Sequence, residues 1–125
     1  MAINKNLASA KYFYDNNDLE AAKKICETVL NNNKQNLEAI NLITLINIKK
    51  ENFEEALKYS NLIIQIDNKD YEVFFRKAMI LQRLKKSEVA LQNLELAISL
   101  NKNKAELFNL KAIIHESLGE DQKAL

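Results

Sequence analysis

The residues able to do chemistry are few in this chain, and they stand apart. One histidine, His115, and one cysteine, Cys26, are the whole stock of imidazole and thiol. Acid–base pairs, nucleophilic triads and zinc sites need such groups in company, so neither has a partner of its own kind. A single glycine, Gly119, and no proline leave nothing for a phosphate-cradling loop or a nucleophile elbow. Lys49-Lys50 and Lys85-Lys86 are short basic pairs beside expected helix ends, where they favour the C-terminal dipole. Eighteen Lys and Arg against seventeen Asp and Glu give a net charge of +1, without the basic excess a nucleic-acid backbone demands. The chemistry on offer is that of a surface: apolar side chains and balanced charges. Catalytic, cofactor and metal residues are expected to be absent.

The elements that must position such a surface repeat. Ala22, Ala56, Ala90 and Ala124 follow one another at a spacing of 34 residues. Ala10, Thr44, Ala78 and Ala112 keep the same period, as do Leu30, Ile64 and Ile98, and Ile40, Phe74 and Phe108. A fixed period of this size marks a stacked array in which each repeat covers its neighbour. Asn- and Asp-rich breaks at 16–18, 31–36, 51–52, 67–70 and 101–104 punctuate the array, since these side chains cap helices and tolerate left-handed turns. The spacing predicts helices at about 4–16, 19–32, 37–49, 53–66, 71–84, 88–100 and 105–118, stopped by Gly119, with an eighth beginning near 120. No apolar run reaches the roughly 20 residues of a membrane span, and none has the length of a signal peptide's apolar stretch, so a soluble, cytoplasmic chain is expected.

Phe74, Ala78, Leu81, Ala90 and Ala97 within 71–104 carry a likeness to a known family. The segment resembles the tetratricopeptide repeat, a helix–turn–helix whose aromatic and alanine columns fall at those places. The resemblance implies one all-α domain over 1–125: a right-handed solenoid of antiparallel helix pairs, about three and a half repeats long, at about 3–36, 37–70, 71–104 and a partial 105–125. It departs from the family in having Lys34, Asn68 and Lys102 where a proline closes the repeat. Ala22, Ala56, Ala90, Ala124, Phe74 and Phe108 are the expected repeat-defining core.

The resemblance further implies a non-catalytic protein-interaction module, whose first helices line a concave face for a peptide or helix with apolar anchors. Carried over by register, that groove contains Lys11, Asn41, Leu42, Leu45, Ile48, Phe75, Arg76, Met79, Arg83, Leu110 and Ile113. Helix 37–49 draws attention because Ala39, Ile40, Ile43 and Ile46 already supply a packing face, leaving Leu42, Leu45 and Ile48 as a second apolar stripe. A helix apolar on all sides is ordinarily buried, so burial of the second stripe competes with ligand binding. Tyr12 and Phe13 are expected to pack inward and Tyr14 to face the groove. His115 and Cys26 are expected in the core, and Phe108 and Leu107 exposed if nothing covers the last helix. Alternatives are a self-associating scaffold fragment and an RNA-binding helical repeat. One familiar use of the family, a clamp on the C-terminal carboxylate of chaperone tails, is not expected: Leu7, Leu42 and Glu72 stand where it wants Lys or Asn, and of its cationic places only Arg76 is filled.

Overall fold

A computed structural model describes the backbone of residues 2–124 and the side chains of residues 7–120. Among the described residues every regular element is an α-helix: α1 (Ala2–Asp15), α2 (Leu19–Asn32), α3 (Leu37–Lys49), α4 (Phe53–Ile66), α5 (Tyr71–Arg83), α6 (Ser87–Leu100) and α7 (Ala105–Ala124). Consecutive helices form antiparallel pairs, giving about three and a half helix-pair repeats. The chain divides into two compact units, one holding α1–α4 and the other α5–α7.

Local chemistry sets the helix starts. Asp18 and Asn36 accept hydrogen bonds from the backbone N–H of Ala21 and Ala39, at 3.2 and 3.1 Å, and Asp70 accepts from Glu72 at 3.0 Å. Each such cap satisfies a donor that the first turn would leave unpaired, a contribution of about 1 kcal/mol. The ends of α1, α3 and α5 share one device. The N–H groups of Asp18, Asn52 and Lys86 reach back to the carbonyls of Phe13, Asn47 and Leu81 at 2.8–2.9 Å. Asn17, Glu51 and Lys85, each one residue earlier, hold left-handed φ values of 65°, 60° and 66°. This is the Schellman arrangement, which usually recruits glycine. Here it recurs every 34 residues without any.

In the first unit, Ala10, Ala22, Cys26, Leu42, Ile43 and Ile46 form a buried cluster, flanked by Phe13, Tyr14, Leu19, Ile25, Leu30 and Tyr59. Leu7, Val29 and Ala39 form a second. Ala22, Ala56 and Ala90 are fully buried, as the close approach of paired helix axes at roughly 8–10 Å requires of a small side chain. The side chain of Ala124 lies outside the described residues. In the second unit Phe74, Ala78 and Leu81 of α5 are buried with Ala90, Leu94 and Ala97 of α6, and Leu107, Leu110 and Ile114 of α7 are buried as well.

Several expectations are corrected. No helix ends at Gly119; α7 runs straight through it to Ala124, and no eighth helix starts near 120. Gly119 does not take a positive φ, and a lone glycine lowers helix stability without obliging the chain to turn. Phe108 is 47% exposed rather than core, because no helix among the described residues covers its side of α7, and His115 on the same side is exposed too. Leu107 is buried instead, since its side of α7 turns inward. Tyr12 is 64% exposed and makes an edge contact with Phe13; Phe13, one residue on, occupies the inward position against the buried cluster.

Candidate functional site

In the first unit, α1 and α3 are the leading helices of their pairs, and a cleft of about 420 Å³ opens between them. Leu7, Ala8 and Lys11 from α1 line one wall, and Asn36 and Glu38 at the start of α3 line the other. Leu7 is the apolar floor, buried against Val29 and Ala39. Lys11 and Glu38 are exposed and of opposite sign, so the cleft offers one cation and one anion around an apolar base. Asn36 is held in place because its side-chain oxygen caps α3. Farther along the same two helices the Lys49 ammonium lies 4.2 Å from the centre of the Tyr14 ring, a cation–π contact that ties the end of α3 to α1. Lys50, next to it, pairs with Glu20 of α2 and holds that carboxyl below the usual carboxylate range.

The expected groove residues divide when placed in the fold. Lys11 is exposed, and Asn41, Leu45 and Ile48 are half-buried on one stripe of α3, at positions i, i+4 and i+7. Leu42 is not on that stripe. It is only 6% exposed and belongs to the buried cluster with Ala10, Ala22 and Cys26, so it is core and the expectation for it is corrected. In the second unit Phe75, Arg76 and Met79 of α5 are half-buried and Arg83 is exposed. On α7 Ile113 is 49% exposed, whereas Leu110, at 7%, is buried and is likewise corrected to core. Leu42 packs with Ala10 of α1 and with Ala22 and Cys26 of α2, so the competing reading of α3's second stripe as packing surface holds for it.

Sequence reasoning missed two features. Asn36 entered the cleft through its capping role, which fixes where α3 starts and hence what stands at the cleft's mouth. Val89, Leu96 and Leu100 of α6 are 44%, 50% and 45% exposed; their i, i+7, i+11 spacing was a signal in the sequence that the repeat columns overshadowed.

Among the described residues no group of three or more His, Cys, Asp or Glu side chains stands close enough to hold a metal ion. Cys26 is fully buried, and burial, with the Glu27 charge adding to it, pushes its thiol up to about 11. A thiol so placed is a packing group rather than a nucleophile. No helix among the described residues is long and apolar enough to cross a membrane.

Comparison with known proteins bears on the fold. Residues 71–104 match the family model of the tetratricopeptide repeat. The crystal structure of MamA protein superposes with a TM-score of 0.88 at 17% identity, over 98% of this chain and 67% of that one. The first tetratricopeptide domain of Spaghetti (RPAP3), bound to the HSP90 peptide SRMEEVD, superposes with a TM-score of 0.87 at 15% identity, over 94% of this chain and 93% of that one. A Thermobaculum terrenum O-GlcNAc transferase matches with a TM-score of 0.75 at 20% identity, over 84% of this chain but only 20% of the transferase. No curated protein matches the sequence. At these identities the likeness is one of fold.

Proposed function

We propose, for a chain that belongs to the tetratricopeptide-repeat family, that it is a non-catalytic protein-interaction module binding a peptide or helix of a partner along the leading helices of its repeats. The observation that carries this reading is the α1–α3 cleft, with its apolar floor at Leu7 and its opposed charges at Lys11 and Glu38. Peptide recognition by a domain of the same fold, the RPAP3 domain with its HSP90 peptide, supports it.

The ligand we assign is a segment with apolar anchors rather than an acidic tail. Leu45 and Ile48 share one half-buried stripe of α3 with Asn41, and apolar side chains seated against them contribute roughly 1.5–3 kcal/mol each when fully buried. A few such anchors suffice for micromolar binding after the costs of association. Among the described residues that line this cleft, a C-terminal carboxylate finds one cation, Lys11, and Glu38 opposes it across the opening. In the second unit, taken by itself, Phe75 and Met79 are half-buried on α5 with Arg76, and Ile113 is exposed on α7.

The test is selection of peptides from a random library, followed by affinity measurements on wild type, Leu45→Glu and Lys11→Glu. Selected peptides should carry apolar anchors and lose at least tenfold in affinity to Leu45→Glu, while helical content is kept and the protein stays folded at the assay temperature. The peptide SRMEEVD should not bind at micromolar concentration. Failure to select any ligand, or ligands indifferent to both substitutions, would remove the cleft as the site. Micromolar binding of SRMEEVD would reinstate the carboxylate clamp.

A further inference from the structure

Exposed apolar side chains gather in the second unit, where Val89, Leu96 and Leu100 of α6 and Phe108 and Ile113 of α7 all stand open to solvent. Within this unit α7 has two unlike sides. Leu107, Leu110 and Ile114, at i, i+3 and i+7, are buried and mark the side by which α7 packs on α6 and touches α5. On the side turned away from them Ala105, Phe108, Ala112 and His115 are exposed, and Gly119, half-buried, continues their line. The steps along that line are three, four, three and four residues, the spacing of a coiled-coil seam. Ala105, Ala112 and Gly119 take one of its two positions, and Phe108 and His115 take the other.

The polar residues beside this line are sorted by sign. On one flank, just before Ala105 and Ala112, stand Lys104 and Lys111; on the other, just after Phe108 and His115, stand Asn109 and Glu116. Lys104, Asn109 and Glu116 are exposed and Lys111 is half-buried. A second α7 laid parallel and in register sets each flank against the opposite flank of its partner. Lys111 of each copy then meets Glu116 of the other, five residues farther along, where charges on paired helices choose partner and orientation. An antiparallel α7 sets like flanks together, lysines against lysines and Glu116 against Glu116, and is repelled. Gly119 points the same way. Glycine inside a helix lowers its stability relative to alanine, and packing within the chain gives no reason for it, because a Cβ added there would meet nothing within 4 Å. A second helix lying close against that face supplies the reason.

We propose that the outer face of α7 is a self-association surface, occupied by α7 of a second copy of this chain in a parallel, two-fold symmetric pair. Phe108 and Ala112 lie at the centre of the seam, and a Lys111–Glu116 pair borders it on each side. The occupant is a second copy because the face is complementary to itself, as a two-fold interface requires, and complementary in one orientation only. The seam belongs to the second unit and is independent of the α1–α3 cleft.

Sedimentation equilibrium of the whole chain, from micromolar to submillimolar concentration, tests it and should show monomers in equilibrium with dimers. Phe108→Glu should weaken the dimer about tenfold or more, with helical content kept because Phe108 is exposed. Charge reversal reads the orientation. Lys111→Glu alone and Glu116→Lys alone should each weaken self-association about threefold or more, since each puts two like-charged pairs at the seam. An equimolar mixture of the two variants should recover dimers as tight as wild type, because both cross pairs are again opposite in sign. Ala112→Cys should give a disulfide-linked dimer under mild oxidation, the two copies of that position facing each other within the roughly 7 Å between Cα atoms that a disulfide spans. Glu106→Cys, on another side of α7, should not, and native Cys26 can stay because it is buried. A chain that remains monomeric throughout would overturn the proposal. So would a dimer indifferent to Phe108→Glu, or one crosslinked equally through both cysteine positions, either of which moves the contact to another surface. A dimer strengthened by the single charge reversals would show antiparallel pairing and refute the parallel seam.

Discussion

Replacing Leu42 and Leu45, three residues apart on α3, separates packing from recognition. Leu42 is 6% exposed and packs with Ala10, Ala22, Cys26, Ile43 and Ile46, whereas Leu45 is only half-buried. Leu→Ala removes three carbons, a loss of about 2.4 kcal/mol at roughly 0.8 kcal/mol per buried methylene. The cavity left at a site already walled by close-packed alanines and isoleucines adds to this, because α1, α2 and α3 cannot collapse into it without moving their axes. Leu42→Ala should therefore cost about 3 kcal/mol, within the span of roughly 2–5 kcal/mol seen for core Leu→Ala changes. Leu45→Ala, with part of its side chain already in water, should cost about 1 kcal/mol. Urea titration followed by the helical circular dichroism signal measures both through the shift of the earliest unfolding transition. Equal costs, or a larger cost at Leu45 than at Leu42, would refute the division of α3 into a core side and a ligand side.

Three further outcomes follow from the same packing. Burial raises the Cys26 thiol from 9.0 to about 11, so the folded chain holds this proton more tightly than the unfolded one. That contribution is intact below about pH 8.5 and is lost as pH rises toward 11, amounting to about 3 kcal/mol; the alkaline loss measured by urea titration should be smaller by that amount in Cys26→Ala. Asn47 is buried in α3 and donates to the Ile43 carbonyl, but its side-chain oxygen has no hydrogen-bond partner; Asn47→Leu, which installs the residue found at the same register in α5, should raise stability by about 1–2 kcal/mol, read as a higher melting temperature. Ala90→Leu should overpack the α5–α6 pair and cost about 1–3 kcal/mol in the same assay.

The period of the array, and which residues share a helix face, are legible from the residues alone. Thirty-four-residue columns of alanine and apolar residues specify helix pairs, and the Asn and Asp clusters locate most helix ends within one or two residues, because caps and turns are local chemistry. Burial of Ala22, Ala56, Ala90 and Cys26 was legible for the same reason: small side chains at the repeat's fixed places belong where axes meet. Tertiary structure alone decided which faces are covered. Leu42 and Leu45 are indistinguishable by residue type, and only the position of α1 and α2 against α3 makes one core and leaves the other half-buried. Phe108 and Phe74 share a register, yet Phe74 is buried beside the antiparallel α6, and Phe108 is exposed because no helix among the described residues covers its side of α7. Gly119 shows the limit most plainly. A glycine permits the left-handed turn, but the turn forms only when the helix beyond it gains more by packing back than by continuing, and that balance belongs to the assembled fold.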